Sequence, residues 1–201
     1  VFYPKTAAEV QQIVKKHSKI KALGTRHCFN TIADSKDNLL SLKEMNKVVS
    51  LDPASKTVTI EGGMNYGQLC PYLNNHGFAL HNLASLPHIS VTGACITATH
   101  GSGVKNGNLA TAVTGLEMVT AGGDIIHLSK EKDGESFYAA VVGLGAMGVI
   151  TKVTLQMQRA YTMKQYVFEK LPLQQLKDHF DKIVATGYSV SLFTDWQTDS
   201  I

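Results

Sequence analysis

Apolar residues at positions 10, 13 and 14, with polar residues between and beyond them, recur at the three- and four-residue spacing of an amphipathic helix. Thr6 and Glu9 frame its start with capping-box spacing, so that the Glu9 side chain can return to the Thr6 amide. Short apolar runs flank this helix. Residues 1–3 read as a strand ahead of Pro4, and residues 20–23 as a strand running straight into Gly24. Further strands are expected at 39–42, 48–51 and 57–61, the last two joined as a hairpin through Asp52-Pro53-Ala54-Ser55-Lys56. Leu69, Tyr72 and Leu73 give residues 66–76 one apolar helical face, which Gly77 terminates. Residues 113–120 and 125–128 form a second hairpin around Gly122-Gly123, residues 136–142 a short helix, and residues 149–157 an alternating strand.

Two stretches break this rhythm. Residues 81–112 are rich in Gly, Ser and Thr with little periodicity, and read as a long ordered loop, a feature that usually has a functional reason. Beyond Arg159 the style changes again. A strand is expected at 161–168, an amphipathic helix at 172–186 carrying Leu176, Phe180, Ile183 and Val184, and a strand at 189–193. The boundary therefore falls near residue 160, with one domain over 1–160 and the start of a second over 161–201. A chain that begins at Val1 within a strand and stops at Ile201 just after another is expected to belong to something longer.

Composition narrows the class. The 201 residues are 44% hydrophobic without any apolar run of the roughly 20 residues that a membrane-spanning helix needs, so no membrane span is expected. The 19 Lys and Arg against 16 Asp and Glu are scattered rather than drawn into a basic stripe, which argues against nucleic acid and for a small-molecule partner. Cys28, Cys70 and Cys95 are odd in number and lack C-x-x-C spacing, against both a disulfide framework and a structural zinc site. They fit a reducing, cytoplasmic setting. His88 and His100 have no carboxylate or thiol partner at ligand spacing, so no metal site is expected.

Residues 143–148, Gly-Leu-Gly-Ala-Met-Gly, match G-x-G-x-x-G letter for letter. In a dinucleotide fold those glycines follow a strand and open a helix. Here a helical segment precedes them and a β-branched strand follows, and no acidic residue sits about 20 residues further on. A helix stop and tight turn feeding a strand is the better reading, and it still allows the backbone to approach a cofactor closely.

Three segments carry candidate chemistry. Ala22-Leu23-Gly24-Thr25-Arg26-His27-Cys28-Phe29-Asn30 places a glycine turn just after a strand, where successive amides can converge on an anion, beside a nucleophilic imidazole. Residues 82–95 and 97–103 supply small residues, hydroxyls and free amides suited to a pyrophosphate or a flat ring against the backbone; Gly-Lys-Ser/Thr is absent, so this is no P-loop. In their order and spacing, Gly24–Asn30, Leu83-Ala84-Ser85-Leu86-Pro87-His88-Ile89-Ser90-Val91 and Ala98-Thr99-His100-Gly101-Ser102-Gly103 closely resemble the vanillyl-alcohol-oxidase flavoprotein family. The nearest branches are the alditol (xylitol) oxidases, followed by the sugar-1,4-lactone oxidases.

That resemblance, which spans about residues 3–195, implies an α+β fold: a PCMH-type FAD-binding domain of two α/β subdomains clamping FAD, then the start of an α+β substrate domain. It implies FAD attached covalently through His27, the histidine of the family's G-S-R-H-S pattern, with Thr25 and Cys28 departing from the two serines. Cofactor contacts are implied at Ala22, Leu23, Gly24, Thr25, Arg26, Cys28, Ser85, Ser90, Gly93, Thr97, Ala98, Thr99, His100 and Ile150, and a substrate contact at Ser85. The implied reaction is hydride transfer from a polyol C–OH, such as xylitol, to flavin N5, with oxygen reduced to hydrogen peroxide. The general base and most polyol-binding groups are implied to lie in the second domain. An aldonolactone oxidase or dehydrogenase, or a non-catalytic FAD-binding fragment, is the alternative.

Overall fold

Thr6 caps the first helix as the sequence predicts, its hydroxyl accepting from the Glu9 N–H while Val10 and Val14 turn into the protein. In this computed structural model, which describes residues 1–201, the order is α1 (Ala7–Lys16), β1 (Ile20–Leu23), β2 (Asn38–Ser41), β3 (Val48–Asp52), β4 (Thr57–Glu61), α2 (Tyr66–Asn75), β5 (Phe78–Ala79), α3 (Val91–Ile96), β6 (Val113–Val119), β7 (Ile125–Ser129), α4 (Gly134–Val141), β8 (Val149–Gln156), β9 (Gln158–Arg159) and α5 (Leu173–Val184). Two sheets organise the chain. A small parallel pair joins β1 to β2, and a five-stranded antiparallel sheet runs β3-β4-β8-β6-β7.

Each sheet has its own core. Alternation along β4 buries Val58 and Ile60, which meet Val153 and Leu155 of β8, Leu116 and Met118 of β6, and the apolar faces of α2, α3 and α4. Phe137 of α4 and Leu69 and Leu73 of α2 are fully buried there, each side chain contributing about 1.5–3 kcal/mol of transfer free energy. The smaller core gathers Val10 and Val14 of α1 with Leu40, Leu42 and Met45, and it borrows Val119 and Val149 from the ends of β6 and β8. Those two strand ends join the two α/β units. On the sheet's other face the hydroxyls of Thr59 and Thr154, paired across β4 and β8, hydrogen-bond at 2.9 Å.

The helix, hairpin and strand expectations up to residue 80 hold within a residue or two, as do the second hairpin and the strand after the glycine triplet. Residues 1–3 are not a strand; only Phe2 bridges to Leu40. Residues 81–112 are not one loop. Val91, Ala94 and Cys95 follow helical spacing and bury one face of α3, and Leu109–Ala112 closes as a 3-10 turn on the same core. Residues 161–168 and 189–193 form no strands, because no neighbouring strand offers them a ladder. Residue 188 is nevertheless seated: the Tyr188 hydroxyl donates to the His81 carbonyl at 2.6 Å, and Asn106 Nδ2 donates to the Tyr188 carbonyl at 3.1 Å. No helix is long and apolar enough to cross a membrane.

Gly62 and Gly63, directly after β4, pack against the backbone of β8 on one side and of the small unit on the other. A β carbon on Gly62 would overlap the Ile150 carbonyl oxygen of β8, and one on Gly63 the Leu42 carbonyl oxygen. Their amides complete the joint, Gly62 donating to Thr151 O at 2.8 Å and Gly63 to Met45 O at 2.9 Å. Since neither obstacle is a flexible side chain, Gly63→Ala should destabilise the protein by about 3 kcal/mol. Urea unfolding measures this, and a loss below about 1 kcal/mol would show that the joint can spread.

Beneath the second hairpin, Glu117 on β6 lies almost buried, with its carboxylate taking Lys152 Nζ at 2.7 Å and the Thr151 hydroxyl at 2.8 Å. Burial works against its charge, but the bonds from Lys152 and Thr151 and the field of Lys152 and His127 outweigh it and hold the carboxyl below the usual glutamate value. A depressed carboxyl stabilises the fold at pH values above its unfolded pKa and loses that contribution as pH falls through the lower folded one. Thermal unfolding scanned from neutral to acid pH should therefore show part of the acid loss vanish in Glu117→Gln, with a lower melting temperature at neutral pH. Superimposable pH profiles would show that the pair contributes nothing net.

Candidate cofactor site

The cleft between the two cores is open to solvent and has a cavity volume of about 90 Å³. Five backbone segments converge on it. The first is the end of β1 with its following turn, Ala22, Leu23, Gly24 and Thr25. The second is β2 and its continuation, Leu40 to Lys43, and the third is the Gly62-Gly63 joint. Ser90, Thr92, Gly93 and Ile96 of α3 and its cap form the fourth, and Gly145, Gly148 and Ile150 the fifth.

Why these segments meet follows from their hydrogen bonds. Thr25 Oγ1 accepts from the Ser90 N–H at 3.1 Å, tying the β1 turn to the start of α3. Met64, just past the glycine joint, accepts from the Val91 N–H at 2.9 Å. The Leu144 N–H donates to the Ile96 carbonyl at 3.2 Å, which draws the glycine triplet onto the end of α3. The triplet thus lies between α4 and β8, as the reversed motif order predicts, and two of its glycines line the cleft.

Three non-glycine residues near the cleft sit in the left-handed region: Arg26 at φ 61°, Ala98 at φ 52° and Leu144 at φ 53°. Each conformation costs on the order of 1–3 kcal/mol and persists only where the surroundings impose it. Arg26 and Leu144 lie in turns beside the cleft, at 24–28 and 143–148, and Ala98 in the turn that follows α3, at 97–100.

Of the sequence-derived cofactor residues, Ala22, Leu23, Gly24, Thr25, Ser90, Gly93 and Ile150 line this cleft. Arg26, His27 and Cys28 continue the same turn as exposed residues at its rim. His27 lies against His88, with ring centroids 4.7 Å apart. Ser85 is exposed on the loop leading to His88. Thr97, Ala98, Thr99 and His100 follow α3 and do not line the cleft. The Thr97 hydroxyl is bonded inward to Gly93 O at 3.0 Å, and Thr99 N–H closes on Ala94 O.

Sequence reasoning did not single out Ser41, Lys43, Gly62, Gly63 and Thr92, nor the apolar Leu40, Leu42 and Ile96, as lining residues, while it left the glycine triplet free to approach a cofactor, and Gly145 and Gly148 do line the cleft. Lys43 is the only charged side chain on the lining. Thr92 Oγ1 is buried without a hydrogen-bond partner, a polar atom left for something in the cleft. A paired-glycine signal was present at Gly62-Gly63, but nothing in the order of residues separates it from an ordinary strand end.

Two α/β units thus enclose a cleft whose turn-built walls offer small residues, hydroxyls and amides. A family profile described as an FAD binding domain matches residues 1–129, and the chain belongs to that family. Over 200 residues it is 42% identical to an alditol oxidase of Streptomyces sp. (strain IKD472 / FERM P-14339), a match covering 98% of this chain and 47% of that protein. It is 33% identical to the L-gulonolactone oxidase of Bos taurus, covering 90% of this chain and 42% of that protein. With the L-gulono-1,4-lactone dehydrogenase of Mycobacterium tuberculosis it shares 34% identity, over 87% of this chain and 40% of that protein. The crystal structure of 6-hydroxy-D-nicotine oxidase from Arthrobacter nicotinovorans has the same fold, with a TM-score of 0.72 at 22% identity over 90% of this chain and 43% of that one. The chain thus spans about half the length of the relatives it matches. The fold is that of a PCMH-type FAD-binding domain.

The cysteines report on the site's geometry. Cys95, on α3, is held at high pKa by burial, pushed up to about 12 despite a bond to Tyr66, whereas Cys28 stands exposed beside His27. Iodoacetamide should label Cys28 in the native protein and reach Cys95 only on unfolding, as peptide mass mapping would record. Early labelling of Cys95 would mean that α3 opens locally.

Proposed function

We propose that this chain is the cofactor half of an FAD-dependent oxidase that takes hydride from a polyol, with an alditol such as xylitol the preferred substrate class and oxygen the final acceptor. The observation that carries this reading is the cleft itself. Its walls are backbone amides, hydroxyls and small residues from segments that a hydrogen-bond net fixes in place, with Lys43 the one cation. Such a lining suits a pyrophosphate and a flat ring held against the main chain. The strong likeness to an alditol oxidase, over nearly the whole chain, supports the substrate class.

In this reading the amides of residues 22–25 and the hydroxyls of Thr25, Ser90 and Thr92 hold the nucleotide, and Thr92 Oγ1 gains the partner it lacks. His27 at the cleft rim is the attachment point for the flavin's 8α carbon. Arg26 and Cys28 flank it, Ser85 contacts both flavin and substrate, and Thr97, Ala98, Thr99 and His100 support the α3 end of the site. Bound FAD supplies a two-electron acceptor for the substrate's C–H hydride, and a histidyl bond raises its potential toward unactivated alcohols. The protein's share is positioning. No residue of this chain is assigned the general base.

Two measurements test this. Protein precipitated in acid should stay yellow, with a flavin-bearing peptide that maps to His27, and His27→Ala should release all flavin on denaturation. Peroxide release, measured on the protein at the length its gene encodes, should be greatest with xylitol or sorbitol. Turnover confined to gulonolactone would move the reading to the aldonolactone enzymes, and no turnover on any of the three would sink the polyol class.

A further inference from the structure

We propose that His88 is a positioning residue for His27: its ring, mounted on a rigid stretch of backbone, holds the His27 imidazole in the orientation that bond formation to the flavin needs. The proposal rests on the reading of His27 as the attachment site. Its ground is the contrast between the two segments that bring these rings together.

The turn carrying His27 is weakly held. Residues 24–30 are all exposed, and the turn's tie to the rest of the site is the Thr25 hydroxyl accepting from the Ser90 N–H. No hydrogen bond of the turn reaches the His27 ring. The segment carrying His88 is held on both sides. Gly67 N–H donates to Pro87 O at 2.6 Å, Tyr66 N–H to Ile89 O at 3.1 Å and Val91 N–H to Met64 O at 2.9 Å, while Asn65 and Ser90 form an antiparallel bridge. These bonds join it to the start of α2 and, through Met64, to the glycine joint. The His88 ring packs against His27 with planes inclined at 46° and is the one aromatic partner His27 has.

Attachment exchanges the imidazole N–H and one methyl C–H for a new N–C bond. The two protons and two electrons set free reduce dioxygen to hydrogen peroxide. Nothing in this step consumes His88; its part is to restrict His27 to near-attack orientations before the bond forms. An aromatic pair of this kind is worth about two- to tenfold in a rate.

The test mixes apoprotein, produced under riboflavin limitation, with FAD in air and follows covalent attachment by in-gel flavin fluorescence after denaturation. Fluorescence quenching of FAD before denaturation reports non-covalent binding independently. His88→Ala should slow attachment about five- to tenfold with non-covalent binding unchanged, and His88→Phe, which keeps a ring without a nitrogen, should restore the rate to within about twofold. An unchanged rate in His88→Ala overturns the proposal, as does His88→Phe being as slow as His88→Ala, since a ring nitrogen would then be the agent. Covalent flavin persisting in His27→Ala would instead overturn the attachment reading beneath it.

Discussion

The contact on which the rest of the site depends is the one at Gly62 and Gly63. Two backbone segments, one from the small unit at Leu42 and one from β8 at Ile150, pass so close to these residues that a side chain on either glycine would overlap a carbonyl oxygen. The amides of the pair bond to Thr151 and Met45, and the next residue, Met64, accepts from Val91 at the start of α3. One short connection therefore sets the distance between two cores and the position of the helix that walls the cleft between them. The cores alone would not do this, since hydrophobic burial is roughly non-directional and leaves the separation of two packed units soft. Carbonyl oxygens against α carbons make it hard.

From that joint the site's two sides acquire different stiffness. The α3 side inherits order from the sheet, through Met64 and Val91, and from the glycine triplet, through Leu144 and Ile96. The β1 turn inherits it only through the Thr25–Ser90 bond. Left-handed residues at Arg26, Ala98 and Leu144 mark where the chain is bent to keep these segments facing each other. Strain placed this way is stable only because each turn ends on a well-packed element, β1, α3 or β8.

How much of this was legible depended on whether a signal was local. The caps and apolar spacing of α1 and α2 and the two hairpins are written in neighbouring residues, and their elements form as read. The resemblance of Gly24–Asn30 and Leu83–Val91 placed Gly24, Thr25 and Ser90 among the 17 residues that line the cleft. α3 was hidden because six residues give less than two turns of periodicity, and Gly93 and Thr92 masked its buried face. Residues 161–168 carry the strand-favouring Tyr161, Thr162, Tyr166, Val167 and Phe168, yet such residues describe only what a strand would bury, and whether one forms is decided by a partner elsewhere. Gly62, Gly63 and Lys43 escaped notice for the same reason: their significance lies in carbonyls and turns remote in sequence, which only the fold brings to them.

The make-up of the cleft also limits what its own side chains can do. No carboxylate lines it, its hydroxyls are those of Ser41, Thr25, Ser90 and Thr92, and the charge is one lysine's. A site of that composition has little means of moving protons at neutral pH, because it offers no carboxylate, imidazole or thiol, and the Lys43 ammonium can serve it only as a counter-ion. The two histidines nearest it, His27 and His88, stand at the rim against each other rather than over the cavity. Such a lining can hold and orient a group that brings its own electronic chemistry. It follows that the site's sensitivity to substitution is concentrated at its joints. Removing a hydroxyl from the wall costs one contact, whereas a methyl group on Gly62 or Gly63 shifts Leu42, Ile150 and, through Met64, α3, and so displaces several lining segments together.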